Sequence, residues 1–544
     1  MTSIRRFLFS PPFQTGILLL GVFLRLQHYL EHCSIWLDES WVAVEIVGRS
    51  ISAILRAFPY NPPLGFSLAE KLAVLSLGND EYALRIFPLL ASIAALILFY
   101  GLVRKYLEPA AAFLALAFFA FCEPLIYQAA QIKQYSSDVC MALVLHRLVE
   151  YVKEKKFAPG PMRWLGIVGA TALWISNSCV FILAGIASTW IVNFSRRKEW
   201  RKLKTFSLAL LFWIWSFAVL YQISLGRVTR NEELLVMWKE GFPANSIFSS
   251  EGWIWFKNAF VALFQDPGGF PCPVFPATIF VIGCLTLFQK DRERLALLTV
   301  PIALMILAAV FHKYPFKGRV LFFTVPAVMI LVAQGVQFVL EKIQKIKASG
   351  AIVSLIEMVV IVIILLPVLK NSWQFHHCHY NSRAAIQYLQ ENYRPGDKLF
   401  FNSGALYPFW YYVSSLNFSD RIPKEKSLLK SGISGEGMVA GKFYDSLQTA
   451  DGNPYAGFEY QRHFYDEKGY FQTAEALTET YKIFKNAAFD FGIKGRVWIT
   501  LLHISPEVHQ LILQVLDRQG KRLTQFEKEG AYVYLYDLGN STDR

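Results

Sequence analysis

Charged residues are scarce in this sequence. Only 17% of its 544 residues are Asp, Glu, Lys or Arg, while 54% are hydrophobic, and the mean hydropathy is +0.34. A soluble chain of this length carries more charge on its surface, so the composition excludes an ordinary soluble protein. The long apolar runs are 13–29, 83–103, 109–122, 206–225, 274–288, 295–311, 320–340 and 351–369. Because about 20 apolar helical residues cross the hydrocarbon core of a bilayer, the sequence predicts a polytopic α-helical membrane protein.

Internal repeats and low-complexity tracts are missing from the sequence. Many transporters are built from inverted repeats with charges near the bilayer midplane, so the missing repeat weighs against a membrane transporter or lipid flippase. That class remains the alternative function. No small-residue cleavage site follows the first apolar run, and we therefore expect this run to stay as a membrane span rather than to be removed as a signal peptide.

Cysteines are few, seven in all. Four lie in or beside predicted membrane segments, where a cysteine usually acts as a small buried apolar side chain: Cys122, Cys140, Cys179 and Cys284. Three lie outside those segments: Cys33, Cys272 and Cys378. One disulfide could form among these three, but their spacing selects no pair.

The net charge of +13 lies in short basic clusters between the apolar runs. These clusters are 5–6, 104–105, 153–163, 196–204, 290–294 and 342–347. Short loops rich in Lys and Arg lie on the cytoplasmic side of membrane proteins. The charge therefore indicates membrane orientation and not a nucleic-acid partner. With every cluster inside, we expect about eleven spans, a cytoplasmic N-terminus and a C-terminus on the outer face.

Three of these spans are predicted from topology as much as from hydropathy. Residues 164–194 leave one basic cluster and return to another, so we expect two crossings with a tight turn near Asn177. Residues 137–151 are shorter and more polar, but a crossing is required there to reach the cluster at 153–163.

Three long regions are expected on the outer face: 31–82, 226–272 and 371–544. The second contains "IFSSEGWIWFKNAFVALF", whose aromatic face predicts a helix at the membrane interface. In the third, "KLFFNS", "RVWITLLH" and "AYVYLYDL" alternate like strands, and 505–520 reads as a helix with Ser505 as its cap and Gly520 after its end. We expect a membrane module at 1–370, followed by an α/β domain at 371–544.

The first outer region begins with "IWLDES", which places Asp38 and Glu39 directly after an apolar span. Such acids could be a solvated loop or a helix cap, or they could carry chemistry. The same region contains "NPPLG", in which Asn61 and Pro62 begin a stretch whose prolines cannot lie inside a helix.

A lysine lies on the outer side in "YQAAQIKQYSSDV". Lys133 is followed by Tyr135 and Asp138 at the outer end of a predicted span, where the orientation bias disfavours a cation. A snorkelling lysine beside an incidental acid is the alternative interpretation.

A second group of outer cations lies in "FHKYPFKGRV". This short loop holds His312, Lys313, Lys317 and Arg319, and a local anion would explain its charge. Lys and Arg are the usual ligands of phosphate, so a phosphate at the membrane surface fits. Anchoring to lipid headgroups is the alternative.

Carboxylates in one outer loop and cations in two others suit a substrate linked to a lipid phosphate. The lipid tail would stay in the membrane while the phosphate met the cations. A carboxylate would then accept a proton from an attacking hydroxyl.

The order of these segments resembles the GT-C glycosyltransferases that use polyprenyl-phosphate sugars, specifically the bacterial members of glycosyltransferase family 39, a group that includes protein O-mannosyltransferases and resembles the lipid A aminoarabinose transferase. "LDES" matches the acidic motif of the family's first loop. "NPPLG" is similar to His-Pro-Pro-Leu-Gly, with Asn61 in place of the histidine. "KQYSSD" and "YPFKGRVLFF" resemble two further segments. The resemblance covers about residues 13–340 of the chain.

The resemblance implies roles for individual residues. Asp38 would be the catalytic base with Glu39 supporting it, and Lys133 and Arg319 would hold the donor phosphate. Lys313 and Lys317 are further phosphate candidates, and a supporting set follows from the same motifs: Asn61, Pro62, Tyr135, Asp138 and His312.

This interpretation requires no cofactor and leaves a divalent metal open. Some relatives bind a divalent metal through an acid and a histidine, a pair that cannot be mapped here. "HHCH" at 376–379 fits no structural zinc spacing, so an incidental cluster is preferred to a metal site.

The function implied is inverting transfer of a sugar from a polyprenyl-phosphate donor to an acceptor hydroxyl on a glycan, lipid or protein. The place implied is the periplasmic face of a bacterial inner membrane, among membrane lipids. The sugar and the acceptor are not identified by the sequence.

Overall fold

A computed structural model describes residues 10–56, 62–226, 235, 237–243, 248–345, 350–373, 378, 380–394, 397–415, 495–504 and 506–538. The helices of this part of the chain are α1 (Pro11–Leu30), α2 (Leu37–Gly48), α3 (Ile51–Arg56), α4 (Leu64–Leu77), α5 (Glu81–Tyr106), α6 (Pro109–Ala120), α7 (Glu123–Gln128), α8 (Tyr135–Glu154), α9 (Pro159–Ile175), α10 (Cys179–Arg196), α11 (Trp200–Leu220), α12 (Ser250–Gln265), α13 (Val274–Lys290), α14 (Arg292–Val310), α15 (Val325–Ile343), α16 (Gly350–Trp373), α17 (Ser382–Asn392), α18 (Ser403–Ser415) and α19 (Pro506–Asp517). The strands are β1 (Lys398–Phe401), β2 (Gly495–Leu502), β3 (Lys521–Lys528) and β4 (Ala531–Leu538).

The chain divides into two compact units. Unit one contains 1–30, 54–73 and 85–375, and unit two contains 31–53, 74–84 and 376–544. Two pieces of the first outer loop therefore belong to the same unit as the tail. The functional division of the chain at residue 370 remains a prediction.

Unit one holds nearly all residues of the predicted membrane spans, and each predicted span contains a helix. A π-helical turn, Tyr221–Leu225, extends α11, and a 3₁₀ helix, Gly318–Thr324, leads into α15. Among the described residues, six helical segments are long and apolar enough to cross a membrane: Glu81–Tyr106, Cys179–Arg196, Trp200–Leu225, Arg292–Val310, Gly318–Ile343 and Leu355–Ser372. Two shorter helices, α6 and α13, are also apolar. The chain is thus a multi-pass membrane protein, as its hydropathy predicts, while the number of crossings remains a prediction.

Two features that the sequence predicts in unit one, a turn and an amphipathic helix, are present in the structure. The turn predicted near Asn177 lies between the end of α9 and the start of α10. The predicted amphipathic segment in the second outer region forms α12, and Ser249 caps it by accepting a hydrogen bond from the N–H of Gly252 at 3.0 Å. Trp253 and Ile254 of this helix are exposed, as expected of a helix with an apolar outer face.

Glycines let two of the helices cross closely. Gly283 on α13 faces the backbone of Leu331 on α15, and Gly335 on α15 faces the backbone of Ile279 on α13. A Cβ atom at either glycine would overlap the facing carbonyl oxygen. Close backbone approach through small residues is a general way for membrane helices to pack.

Arg25 explains how the first apolar run contains a charge. Its guanidinium is fully buried, donating from Nε to Ser92 Oγ at 2.9 Å and from Nη1 to the carbonyls of Gly21 and Ala120 at 2.8 and 3.1 Å. The last of these bonds satisfies a carbonyl at the C-terminal end of α6. Arg25 therefore joins α1, α5 and α6 as a structural cation.

Unit two contains a four-stranded sheet in the order β1-β2-β4-β3. β1 pairs with β2 in parallel, and the other pairs are antiparallel. The three predicted strands and the predicted helix are confirmed, but Ser505, its expected cap, lies outside the described residues. β3 is an additional strand at the edge of the sheet that the sequence patterns do not predict.

Candidate functional site

Asp38 and Glu39 lie in the first turn of α2 and not in a solvated loop. Asp38 is half-buried, and the side chain of Glu39 is fully buried. The positive end of the helix dipole favours a negative charge in the first turn of a helix, so α2 is a favourable place for the Asp38 carboxylate. The structure thereby removes one alternative, the solvated loop.

The segment that leads into α2 is fastened to the tail within unit two. Cys33 forms a disulfide with Cys378. Farther along, the N–H of Ile35 donates to the hydroxyl of Tyr412 at 2.8 Å, and the carbonyl of Ile35 accepts from Ser382 Oγ at 2.6 Å. This segment is therefore tied covalently and by hydrogen bonds to residues that lie more than 340 positions later in the chain.

An ion pair between Arg383 and Glu81 contacts the same segment. Arg383 donates to Glu81 Oε1 from Nε at 2.8 Å and from Nη2 at 2.6 Å, and Tyr412 donates to the same oxygen at 2.7 Å. Arg383 Nη2 also donates to the carbonyl of His32 at 3.0 Å. Burial raises the pKa of Tyr412, so this residue acts as a hydrogen-bond donor. The network holds the end of the first outer loop against α17 and α18.

Chemical mapping of the cysteines tests the disulfide. In unreduced protein we expect Cys33 and Cys378 to resist a thiol-reactive maleimide, while the exposed Cys272 is labelled. Peptide mass spectrometry should find Cys33 joined to Cys378, and Cys272→Ser should leave that joined peptide unchanged. Breaking the bond by Cys33→Ser should lower the stability of unit two by about 2–4 kcal/mol. A Cys272–Cys378 link, or two reactive thiols at 33 and 378, would contradict the pairing.

A second group of predicted residues lies in unit one, around the first turn of α8. Tyr135 and Asp138 are both buried and lie about one helical turn apart. Ser176 and Ser178, in the turn between α9 and α10, lie beside the Asp138 carboxylate. The Oδ1 atom of Asp138 has no hydrogen-bond partner within the part of the chain that the structure describes.

The loop 311–319 reaches the same place. The Arg319 guanidinium lies 5.9 Å from the ring centre of Tyr135 and 5.5 Å from that of Trp238. Tyr314 lies near Asp138, and burial followed by the negative charge of that carboxylate raises the pKa of Tyr314. The structure therefore brings Tyr135, Asp138 and Arg319 into one aromatic and charged cluster.

The other candidate residues, three in that loop and Lys133 before α8, have different surroundings. Lys317 forms an ion pair with Glu240. The side chains of His312 and Lys313 are exposed, and the His312 ring stacks on Phe242 at 5.1 Å. Lys133, half-buried, lies two residues before Tyr135. The phosphate-binding roles of Lys133, Lys313, Lys317 and Arg319 and the supporting role of His312 remain predictions.

The prolines of the "NPPLG" motif lie just before a helix, outside it as expected. Pro62 is buried, α4 begins at Leu64, and the carbonyl of Pro63 accepts from the N–H of Ser67 at 3.0 Å. A Cβ atom at Gly65 would lie 2.8 Å from the carbonyl oxygen of Trp174, so glycine permits this contact between α4 and α9. Asn61 lies outside the described residues.

The described residues include no group of three His, Cys, Asp or Glu side chains that could hold a metal ion. Of the "HHCH" segment, the structure describes only Cys378, which is in the disulfide, and the three histidines lie outside the described part of the chain.

The predicted site residues therefore form two sets. Asp38 and Glu39 belong to unit two, while the cations, Pro62, Tyr135 and Asp138 belong to unit one. Sequence reasoning missed the residues that surround both sets: Tyr314, Trp238, Ser176, Ser178, Glu81, Arg383, Tyr412 and His503. Only Tyr314 had a signal, because it stands inside the "YPFKGR" motif.

Comparison with solved structures shows a similar fold in ArnT from Cupriavidus metallidurans. Its crystal structure in the apo state matches with a TM-score of 0.51 at 10% sequence identity, and the one bound to undecaprenyl phosphate with a TM-score of 0.50 at 11% identity. Each match covers 96% of this chain and 98% of ArnT. An oligosaccharyltransferase from Archaeoglobus fulgidus in the apo form matches with a TM-score of 0.47 at 10% identity, over 98% of this chain and 75% of that one.

No protein-family model and no curated protein matches the sequence. The structural likeness to ArnT nevertheless extends over nearly the whole of both chains. The chain thus has the fold of that protein, a helical membrane module with a small α/β domain, which confirms the GT-C fold that the resemblance predicted.

Proposed function

We propose that this chain, with the fold of ArnT, is an integral-membrane glycosyltransferase. It transfers a sugar from a polyprenyl-phosphate donor to an acceptor hydroxyl, with inversion, on the periplasmic face of a bacterial inner membrane. A fold hosts many functions, so the proposal depends on the site residues. The observation that carries it is the cluster in unit one in which Arg319 lies against the rings of Tyr135 and Trp238, one helical turn of α8 away from Asp138 at Tyr135.

Arg319 suits a phosphate because of its geometry. A guanidinium presents several N–H donors in a planar fork that matches phosphate oxygens. Contacts with the rings of Tyr135 and Trp238 restrict the side chain, so less conformational entropy is lost when a ligand binds. One of the similar structures, that of ArnT, is bound to undecaprenyl phosphate, a ligand of the class proposed here.

The chemical step places Asp38 at the acceptor. The acceptor oxygen attacks the anomeric carbon, and its proton passes to the Asp38 carboxylate. The bond from that carbon to the phosphate oxygen breaks, and the electron pair leaves with polyprenyl phosphate. Lys133 and Arg319 stabilise the negative charge that develops on the departing phosphate, and electrostatic stabilisation of this kind commonly contributes more to catalysis than any other effect.

The disulfide supports the proposed orientation. Disulfides form and persist in oxidising compartments, and the bacterial periplasm is one of them. Cys33–Cys378 joins the first outer loop to the tail, and both were assigned to the outer face from loop charge alone.

Fusion reporters test this orientation. A reporter joined after Arg544 is expected to be periplasmic, and one inserted near Lys202 is expected to be cytoplasmic, because the cluster at 196–204 is strongly basic. Activity of paired periplasmic and cytoplasmic reporters gives the measurement. A cytoplasmic tail would contradict both the topology and the proposed site.

Binding of polyprenyl phosphate by the purified protein tests the proposed phosphate site. We expect Arg319→Ala and Lys133→Ala each to weaken binding about ten- to a hundredfold, since a charge-assisted hydrogen bond contributes about 1.5–3 kcal/mol. Isothermal titration in detergent micelles measures the affinity, and thermal unfolding shows whether each variant folds.

Lys257→Ala is the matched control for these variants. Lys257 is an exposed lysine on α12, in another predicted outer loop, and its removal should leave affinity within about twofold. Equal effects at 133, 257 and 319 would indicate nonspecific attraction. Normal binding by both Arg319→Ala and Lys133→Ala would mean that the phosphate site is wrongly assigned.

A further inference from the structure

The helix that carries Asp38 has no capping side chain of its own. Its N-cap residue is Trp36, which has an extended backbone and makes no side-chain capping hydrogen bond. The first four N–H groups of a helix have no partner within the helix, and an unfilled N-cap commonly costs about 1 kcal/mol. The start of α2 therefore depends on an acceptor from elsewhere in the chain.

His503 supplies such an acceptor. The N–H of Leu37, the first residue of α2, donates to Nε2 of His503 at 3.0 Å, and the two residues are 466 positions apart in the sequence. Leu37 immediately precedes Asp38. The hydrogen bond is thus made by the residue next to the proposed base.

The His503 ring is held from two sides. Its ring centre lies 4.1 Å from that of Tyr380 and 6.1 Å from that of Trp36. The backbone of His503 has a φ of 54°, in the left-handed region that residues other than glycine adopt uncommonly. Such a conformation is retained only where the surrounding structure enforces it.

Asn402 fixes the strand end from which His503 projects. Its side-chain amide donates to the carbonyl of Leu502 at 2.8 Å and accepts from the N–H of the same residue at 3.0 Å. This paired contact closes β2 one residue before His503. The His503 imidazole therefore projects from a strand end that the two hydrogen bonds of Asn402 hold in place.

The imidazole is neutral under ordinary conditions. Burial lowers the pKa of His503 to about 3, and a neutral ring with its proton on Nδ1 leaves Nε2 free to accept. The hydrogen bond from Leu37 requires this form.

We infer that His503 is a positioning residue for Asp38, through which the tail sets the start of the helix that carries the proposed base. The inference rests on the proposed function. His503 touches neither sugar nor phosphate in this role. Its removal should misplace the carboxylate and lower kcat, while the donor KM, which depends on Lys133 and Arg319, should stay unchanged.

Two substitutions at 503 separate the hydrogen bond from packing. His503→Leu fills similar space without an acceptor and should lower kcat by about ten- to a hundredfold, because a displacement near 1 Å can cost about a hundredfold. His503→Gln keeps an acceptor oxygen near the position of Nε2 and should recover most of that loss. The donor KM should stay within about twofold in both variants.

His509→Leu is the matched control. His509 is a buried histidine of the same unit, on α19, where its Nε2 lies 2.6 Å from the hydroxyl of Tyr534. Its loss should lower thermal stability without lowering kcat beyond the loss of folded protein. The inference would be overturned if His509→Leu lowered kcat as much as His503→Leu. It would also be overturned if His503→Gln lowered kcat as much as His503→Leu.

Hydrogen exchange tests the inference independently of activity. Mass spectrometry of the peptide that contains 37–48 should show faster amide exchange in His503→Leu than in wild type, His503→Gln or His509→Leu. Unchanged exchange in His503→Leu would overturn the positioning role even if the protein is a glycosyltransferase. If wild type transfers no sugar, the proposed function fails, and the exchange experiment still decides whether His503 orders the start of α2.

Discussion

Asp38→Asn is expected to lower the rate of sugar transfer by at least about a hundredfold while donor binding stays normal. Asparagine keeps the size and much of the hydrogen bonding of aspartate, but it loses the negative charge and the basicity. Polyprenyl phosphate is already a good leaving group, so the acceptor hydroxyl most needs help, and a general base contributes about 10²–10⁴-fold. Donor binding and product formation are measured on the same purified variant.

Two further variants of α2 serve as comparisons for Asp38→Asn. Glu39→Gln should cost less than Asp38→Asn, because the buried Glu39 side chain supports the turn and does not take the proton. Glu45→Gln removes a carboxylate of the same helix that forms an ion pair with Arg49, and transfer should stay within about threefold. Near-normal transfer by Asp38→Asn would mean that the proton passes to another group.

The second large effect is expected on stability, from Arg383→Met. The Glu81 side chain is only 7% exposed, and this change removes the arginine that pairs with its carboxylate. Removing one partner of a fully buried ion pair costs about 3–5 kcal/mol, and this range is an upper limit here because the Arg383 side chain is 22% exposed. Thermal unfolding of the purified protein should show the loss, which corresponds to a large part of the stability of a typical domain.

The double variant Arg383→Met/Glu81→Met separates the pair from the packing around it. Replacing both charges by apolar groups of similar size should recover much of the loss, because no buried charge remains without a partner. Arg394→Met, at an exposed arginine just after α17, should change stability by less than about 0.5 kcal/mol. If the double variant is as unstable as Arg383→Met, the ion pair is not the source of the effect.

The membrane helices could be predicted because the bilayer imposes a simple physical rule. Backbone groups in hydrocarbon must be satisfied within the segment, so an apolar run of sufficient length becomes a helix. Even the more polar crossing at 137–151 follows from the basic clusters on either side of it, and α8 covers it. The turn at Asn177 follows in the same way.

Long-range partners could not be predicted from one sequence. Cys33, Cys272 and Cys378 were equal candidates for a disulfide, and only the fold selects Cys33 and Cys378. The contact between Leu37 and His503 joins residues at opposite ends of the chain without a motif at either. Such pairings depend on how the first outer loop meets the tail, which local periodicity does not encode.

Local sequence patterns also do not predict which residues surround the candidate site. Lys317 and Arg319 look equivalent in "FKGR", but Lys317 is paired with Glu240, while Arg319 lies against Tyr135 and Trp238. β3 was missed because its alternating residues are exposed or half-buried, as in an edge strand, so no apolar alternation marks it.

Conversion of a polyprenyl-phosphate sugar to free polyprenyl phosphate by the purified protein tests the central claim most directly. The donor is labelled in the sugar, reconstituted with the protein in liposomes, and followed by chromatography of the lipid products in the presence of candidate acceptors. We expect wild type to release polyprenyl phosphate and to move the label to an acceptor hydroxyl, and Asp38→Asn to retain the intact donor. Movement of intact donor between the leaflets by wild type, without cleavage of the sugar–phosphate bond, would contradict the account and favour a lipid flippase.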